Sequence, residues 1–232
     1  MITMDKLTFW YSKRNRIFEK LDLELDAGHI YGLLGKNGVG KTTLLKLMTG
    51  LCFPKSGSIV LDGRIPGRRN PGFLADIFLV AEEISVLPLT PAKFAALHGG
   101  FYRGFDSTQF RDFLEQFEVD KDQKFSAMSH GQKRKGLIAF ALAINTPYLF
   151  LDEPTNGMDI PSKAAFRSIL ARSFSEEKTI ILSTHMVRDL ESMIDRVIIL
   201  HDHRILINQP ADQNLETLFN DCIGIPKESS SK

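Results

Sequence analysis

Residues 35 to 42 read Gly-Lys-Asn-Gly-Val-Gly-Lys-Thr, and they follow the apolar run Ile30-Tyr31-Gly32-Leu33-Leu34 without a break. Leu44, Leu45, Leu47, Met48 and Leu51 then recur at helical spacing until Gly50 to Pro54 interrupt them. The pattern predicts a buried strand, a glycine loop and a helix, which is the building block of an α/β fold with a parallel sheet. Glycines at 35, 38 and 40 let the backbone turn tightly and aim several N–H groups at one point. The positive end of the following helix reinforces them. A phosphate group is the natural ligand of such a loop, with Lys41 reaching its terminal oxygens and the Thr42 hydroxyl available to Mg²⁺. A glycine-rich turn with an incidental lysine would not need the strand before it and the helix after it.

A second apolar run, Tyr148-Leu149-Phe150-Leu151, ends in Asp152 and Glu153. The spacing puts Asp152 at the end of a strand, where a metal-bound phosphate would lie, and points Glu153 elsewhere, toward a water that it could polarise. Taken alone, two acids before Pro154 read equally as a helix cap. Their occurrence in one chain with the glycine loop favours the chemical reading.

The remaining pattern is uneven. Residues 6 to 11 and 21 to 25 alternate apolar and polar, with a polar link at Ser12 to Asn15, and predict an N-terminal antiparallel β layer. Ser58 to Leu61 before Asp62-Gly63, and Ile77 to Val80, read as further strands. From about 88 to 145 strand signals vanish and two amphipathic helices are expected. One carries Phe110, Phe113, Leu114 and Phe117 behind an Asp106 cap, and the other carries Leu137, Ile138, Phe140, Ala141 and Ile144. The phenylalanines fit a core or a subunit contact. Beyond 147, strand 148 to 151, a helix with Phe166, Ile169, Leu170 and Phe174, strand 179 to 183 and a hairpin-like pair at 196 to 200 and 204 to 207 restore the β-α-β alternation. Lys227 to Lys232 reads as a polar tail.

Composition narrows the partners. A net charge of +1 over 232 residues argues against binding driven by a general attraction to nucleic acid. Cys52 and Cys222 lie far apart without metal-ligand spacing, so a reducing compartment is expected. No stretch approaches the roughly 20 apolar residues that span a bilayer, and Asp5 and Lys6 precede any apolar run, unlike a signal peptide. The chain is expected in the cytoplasm, meeting a membrane only through another protein.

Between the two phosphate-handling segments stands Met128-Ser129-His130-Gly131-Gln132. By itself it reads as a helix cap. In sequence with Gly35-Lys36-Asn37-Gly38-Val39-Gly40-Lys41-Thr42-Thr43 and with Leu149-Phe150-Leu151-Asp152-Glu153-Pro154-Thr155, it resembles the Leu-Ser-Gly-Gly-Gln signature of the ATP-binding subunits of ABC transporters. The resemblance covers about residues 4 to 207. It implies an ABC-type P-loop NTPase: a parallel core sheet, an N-terminal antiparallel β layer and an inserted helical subdomain at about 88 to 145. A single domain over 1 to 220 and a tail at 221 to 232 follow from it.

The same resemblance implies ATP and Mg²⁺ as cofactors and assigns roles residue by residue. Gly35, Lys36, Asn37, Gly38, Val39, Gly40, Lys41, Thr42 and Thr43 hold the phosphates, Tyr11 stacks on adenine with Trp10 as its rival, and Thr42 and Asp152 hold Mg²⁺. Glu153 and His185, the latter in Ser183-Thr184-His185, act on the attacking water. Ser129, Gly131 and Gln132 serve the ATP of a second ATP-binding subunit, so that a head-to-tail dimer encloses two nucleotides. Gly157-Met158-Asp159 resembles the loop that communicates between the two sites, although Asp159 could equally cap the next helix.

Two departures stand out. His130 replaces the first signature glycine, which leaves one backbone amide less free to approach a phosphate. Glu82 stands where the family's glutamine senses Mg²⁺ and the membrane partner; its carboxylate still offers an oxygen to Mg²⁺, as a third metal-binding residue, but adds a negative charge there. Several export-type relatives share that feature, so the expected function is ATP hydrolysis driving a separate membrane permease, with export favoured and peripheral attachment at the inner membrane face. The alternatives are a soluble ABC ATPase acting on a macromolecular complex, and a P-loop kinase or nucleotide switch. The first usually brings tandem modules or a coiled-coil insertion. The second leaves Ser129 to Gln132 and His185 unexplained.

Overall fold

A computed structural model describes residues 1–211 and 214–224. Residues 225–232, most of the expected tail, lie outside the described residues. In chain order the elements are β1 (Ile2–Ser12), β2 (Asn15–Leu25), β3 (Ile30–Leu34), α1 (Lys41–Met48), β4 (Ser56–Leu61), α2 (Pro71–Leu74), β5 (Ile77–Val80), α3 (Pro91–His98), α4 (Ser107–Gln116), α5 (His130–Ala143), β6 (Tyr148–Asp152), α6 (Ile160–Ser173), β7 (Thr179–Thr184), α7 (Val187–Leu190), β8 (Arg196–His201), β9 (Arg204–Pro210) and α8 (Leu215–Cys222). They divide into two compact units, Met1–Arg68 with the described residues from Ile181 onward, and Arg69–Ile180.

In the first unit an antiparallel sheet runs in the order β2-β1-β4. Its hairpin is longer than the alternation predicts, because β1 and β2 pair from Ile2↔Leu25 to Ser12↔Asn15. Ile2, Met4, Leu7 and Phe9 are buried on β1, and Phe18, Leu21, Leu23 and Leu25 on β2. The alternation breaks at Lys6, whose left-handed φ of 46° marks a bulge in β1. Gly57 on β4 meets that bulge so closely that a Cβ there would stand 2.3 Å from the Lys6 carbonyl oxygen. Strand β3 pairs in parallel with β8, from Tyr31↔Arg196 to Leu34↔Ile199, and β8 pairs antiparallel with β9. The β8–β9 turn places Asp202 and His203 at φ 43° and 63°, the backbone of a two-residue hairpin whose twist matches its strands. Helix α1 stops at Met48, three residues short of Leu51, because Gly50 turns left-handed at φ 68°. Leu51 is therefore 53% exposed and takes no part in the apolar face.

In the second unit β5 and β6 pair in parallel, from Ile77↔Tyr148 to Val80↔Leu151. Residues 88 to 145 carry no strand among those described. They hold three α-helices where the periodicity predicts two. The additional one, α3, starts at the Thr90 hydroxyl, which accepts from the Lys93 N–H at 3.2 Å, with Pro91 in its first turn. Asp106 caps α4 through the N–H groups of Thr108 and Gln109.

The apolar helical faces meet around Phe140 of α5. Its ring centroid lies 5.1 Å from Phe94, 5.7 Å from Phe78 and from Phe105, and 6.0 Å from Phe110, mostly in edge-on or tilted contact. Such contacts add to area burial, so the phenylalanines are core. Phe140 itself is fully buried. Phe140→Ala should therefore destabilise the protein by about 3 to 5 kcal/mol, read as a lower midpoint in urea unfolding.

Candidate functional site

In the first unit the glycine loop is built by the end of β3. The Gly35 N–H donates to the Thr184 carbonyl at 3.3 Å, which fixes the loop's start beside the end of β7. A side chain at Gly35 would stand 2.6 Å from the Leu200 carbonyl oxygen, so only glycine fits there. Gly38 and Gly40 take left-handed φ of 80° and 114°. Gly40 opens α1 without a side-chain cap, and the first turn carries no acid. A helix start of this kind suits an anion. Lys41 is buried and curls back to donate from Nζ to the Gly35 carbonyl at 2.8 Å and to that of Lys36 at 3.4 Å. Lys36, Asn37 and Gly38 are exposed, Val39 and Thr43 buried, and Thr42 half-buried. This combination of glycine backbone, buried amine and uncapped helix start fits a nucleotide's phosphates.

Tyr11, next to the last residue of β1, is 55% exposed, its ring edge-on to Phe9 and its hydroxyl 3.3 Å from Thr43 Oγ1. An exposed aromatic face beside the loop is what stacking on a base requires, whereas Trp10 is half-buried. His185 is exposed immediately after Thr184, whose hydroxyl accepts from the Met186 N–H at 2.9 Å and shapes the turn. The first unit therefore gathers Tyr11, residues 35 to 43 and His185. His203 adds a group that sequence reading missed: Nδ1–H donates to the Val39 carbonyl at 3.0 Å and braces the loop from the β8–β9 turn. Nothing in the sequence marks a histidine 164 positions from its partner.

In the second unit Asp152 and Glu153 are buried at the end of β6. Glu153 has a φ of 48°, unusual for a residue with a long side chain. Ser129 and Gln132 form a capping box at the start of α5: the Gln132 N–H donates to Ser129 Oγ and the Ser129 N–H to Gln132 Oε1, each at 3.2 Å. His130 is the first helical residue, so the backbone there accepts a side chain without strain. A Cβ at Gly131 would stand 3.2 Å from the Gly157 carbonyl oxygen, which places this turn against the loop that follows Glu153. Glu82 is exposed, and its Oε1 accepts from Asn156 Nδ2 at 3.4 Å. The second unit thus gathers Glu82, Ser129 to Gln132, Asp152 and Glu153.

Sequence reading also passed over Arg134, a fully buried residue between the cations Lys133 and Lys135. Its guanidinium donates to the carbonyls of Glu82, Asp152 and Glu153. Burial pushes its pKa below the ordinary value, while the charges of Glu82, Asp152 and Glu153 oppose that. Three cations in a row read as a solvated face, and no periodicity singles out the middle one.

The model of the ABC transporter family matches residues 18–156 of the chain. The chain belongs to this family. It is 31% identical over 228 residues to the lantibiotic transport ATP-binding protein SrtF of Streptococcus pyogenes, covering 96% of this chain and 97% of that one. The ABC transporter ATP-binding protein AlbC of Bacillus subtilis is 29% identical over 97% of this chain and 98% of its own. The SkfA peptide export ATP-binding protein SkfE of the same organism is 31% identical, over 81% and 80% of the two chains. Among solved structures, the ATP-binding subunit of an ABC transporter superposes with a TM-score of 0.84 at 22% identity, over 96% of this chain and 99% of that one. A dimeric ATP-binding cassette bound to ADP and phosphate superposes at 0.79 and 22%, over 92% and 100%. The expected ABC-type fold is the observed one.

Within this ABC protein, Asp159 proves to be a cap, accepting from the Ser162 N–H at 2.9 Å to start α6. The Ser162 hydroxyl and then its N–H hold the Asp159 carboxyl below the usual carboxylate range. A depressed folded pKa contributes stability above the unfolded value, near 3.9, that is lost as pH falls through the folded value. Asp159→Asn should thus lower the melting temperature slightly near neutral pH. The two melting curves should converge once the pH lies below the folded pKa.

Proposed function

We propose that the chain is the ATP-hydrolysing subunit of an ABC exporter and works as a single ATPase domain over residues 1 to 220, with 88 to 145 as its helical part. The supporting observation is the packing of the Ser129–Gln132 turn against the loop that follows Glu153. An anion-binding helix start and a water-activating carboxylate are both groups that phosphoryl transfer to water requires, the first serving the partner's nucleotide and the second this chain's own.

In this reading residues 35 to 43 cradle the phosphates of ATP, Lys41 neutralises their terminal oxygens and Tyr11 stacks on adenine. The Thr42 hydroxyl and the Asp152 carboxylate would hold Mg²⁺, which would supply charge neutralisation on the phosphates when bound. Hard oxygen donors suit that ion. Glu153 polarises the attacking water and His185 holds it against the γ-phosphate. Glu82 would offer a further oxygen to the metal, and the Asn156 amide on its carboxylate offsets part of its negative charge.

Ser129, Gly131 and Gln132 read the ATP of a second ATP-binding subunit, so two chains close on two nucleotides and reopen after hydrolysis. The dimeric form of a related cassette with ADP and phosphate supports that cycle. The named tasks of SrtF and SkfE, lantibiotic transport and peptide export, support outward transport through a separate membrane permease. No described helix is long and apolar enough to cross a membrane, and the chain would work at the inner face through that partner.

Glu153→Gln removes the base while keeping its shape. It should lower kcat by about 100-fold or more, leave ATP affinity nearly unchanged and let an ATP-bound dimer accumulate in gel filtration. Steady-state hydrolysis at the wild-type rate would overturn the assignment.

A further inference from the structure

The last register pair of the β5–β6 ladder is Val80↔Leu151. Glu82 and Glu153 each lie two residues beyond it. A single side chain reaches both segments: one terminal nitrogen of Arg134 donates to the carbonyls of Asp152 and Glu153, and the other to that of Glu82. The planar guanidinium fork locks two strand ends together in a way that a lysine's single nitrogen cannot. The Glu153 carbonyl also accepts from the Asn156 N–H at 3.1 Å. These bonds bracket the residue whose φ is 48°.

Stability alone is a poor reason for this arrangement. A charge taken wholly out of water costs more than an apolar residue of the same volume, and the Nε of Arg134 is buried without a hydrogen-bond acceptor. What the residue does secure is a position. It sits on α5 five residues after Ser129, and the adjacent Lys135 donates from Nζ to Ser162 Oγ at 3.2 Å, next to the Asp159 cap. The start of α5 is therefore connected through hydrogen bonds to the residues on either side of the Glu153 loop.

We propose that Arg134 is a positioning residue for hydrolysis: it holds the Glu153 backbone in its left-handed conformation and makes the direction of the Glu153 carboxylate depend on the placement of the Ser129–Gln132 turn. A nucleotide of the second subunit that engages that turn would then set the water-activating acid of this one. The proposal rests on the reading of Glu153 as that acid.

The test uses the full-length chain with Arg134→Lys and Arg134→Met, beside Glu153→Gln and Ser129→Ala. Steady-state hydrolysis of Mg-ATP, binding of a fluorescent non-hydrolysable ATP analogue and hydrogen exchange of residues 152 to 159 are measured. Both Arg134 variants should bind the analogue within about threefold of wild type and keep KM, while kcat falls about 10- to 100-fold, the scale of a misplaced reacting group. Exchange should accelerate in 152 to 159 and not in α4 or β1. Ser129→Ala combined with Arg134→Lys should lose less than the product of the single losses, because the two act on one element.

A folded Arg134→Lys protein with wild-type kcat overturns the proposal, as does a loss confined to KM or a uniform rise in exchange. If Arg134→Met does not fold, Arg134→Lys decides; if neither folds, the residue is a structural brace and the proposal fails. A fully active Glu153→Gln protein removes the acid assignment and this proposal together. An inactive Glu153→Gln beside a fully active Arg134→Lys removes this proposal alone.

Discussion

The groups assigned to chemistry lie where strands buried on both faces run out. No residue of β3 or β6 is exposed, so neither strand has room for a polar side chain before its last positions. At their ends the backbone must find new partners, and in both cases a buried cation supplies them. Lys41 donates to the Gly35 carbonyl after β3, and Arg134 to the carbonyls of Asp152 and Glu153 after β6. The loops that bear the proposed phosphate and water contacts are thus held by charge on main-chain oxygen.

How much of this was legible depended on how local the cause is. The strand, loop and helix around Lys41 follow from adjacent residues, as do the Asp106 cap and the hairpin at 204. The capping alternatives noted for Ser129 and Asp159 were equally local, and both caps are formed. Helix α3 was not legible because its apolar face is weak: Phe94 and Ala95 are buried but Leu97 is 55% exposed. The lengths of β1 and β2 were missed because the bulge at Lys6 breaks the alternation that a period-two reading requires. Arg134 and His203 depend on partners far away in the chain, and no local pattern announces either.

The Ser129 hydroxyl shows why a cap and an anion clamp need not compete. The cap uses it as an acceptor, for the Gln132 N–H. A hydroxyl also carries one donor hydrogen, which the cap leaves unused and a phosphate oxygen could take. The structural role orients the group and the proposed functional role spends its remaining capacity. His130, at the first helical position, alters neither, which softens the departure that its presence suggested.

Helix α5 joins two demands that most folds keep apart. Its 14 residues carry Phe140 at the centre of the aromatic core and Arg134 at the strand ends, with Ser129 as its cap. A helix moves largely as one body, so a packing change at Phe140 that shifts or rotates it also displaces Arg134. Selection on the interior and selection on turnover would act here on the same coordinate. On α5, a substitution far from any nucleotide could change the rate of the cycle while leaving the fold intact.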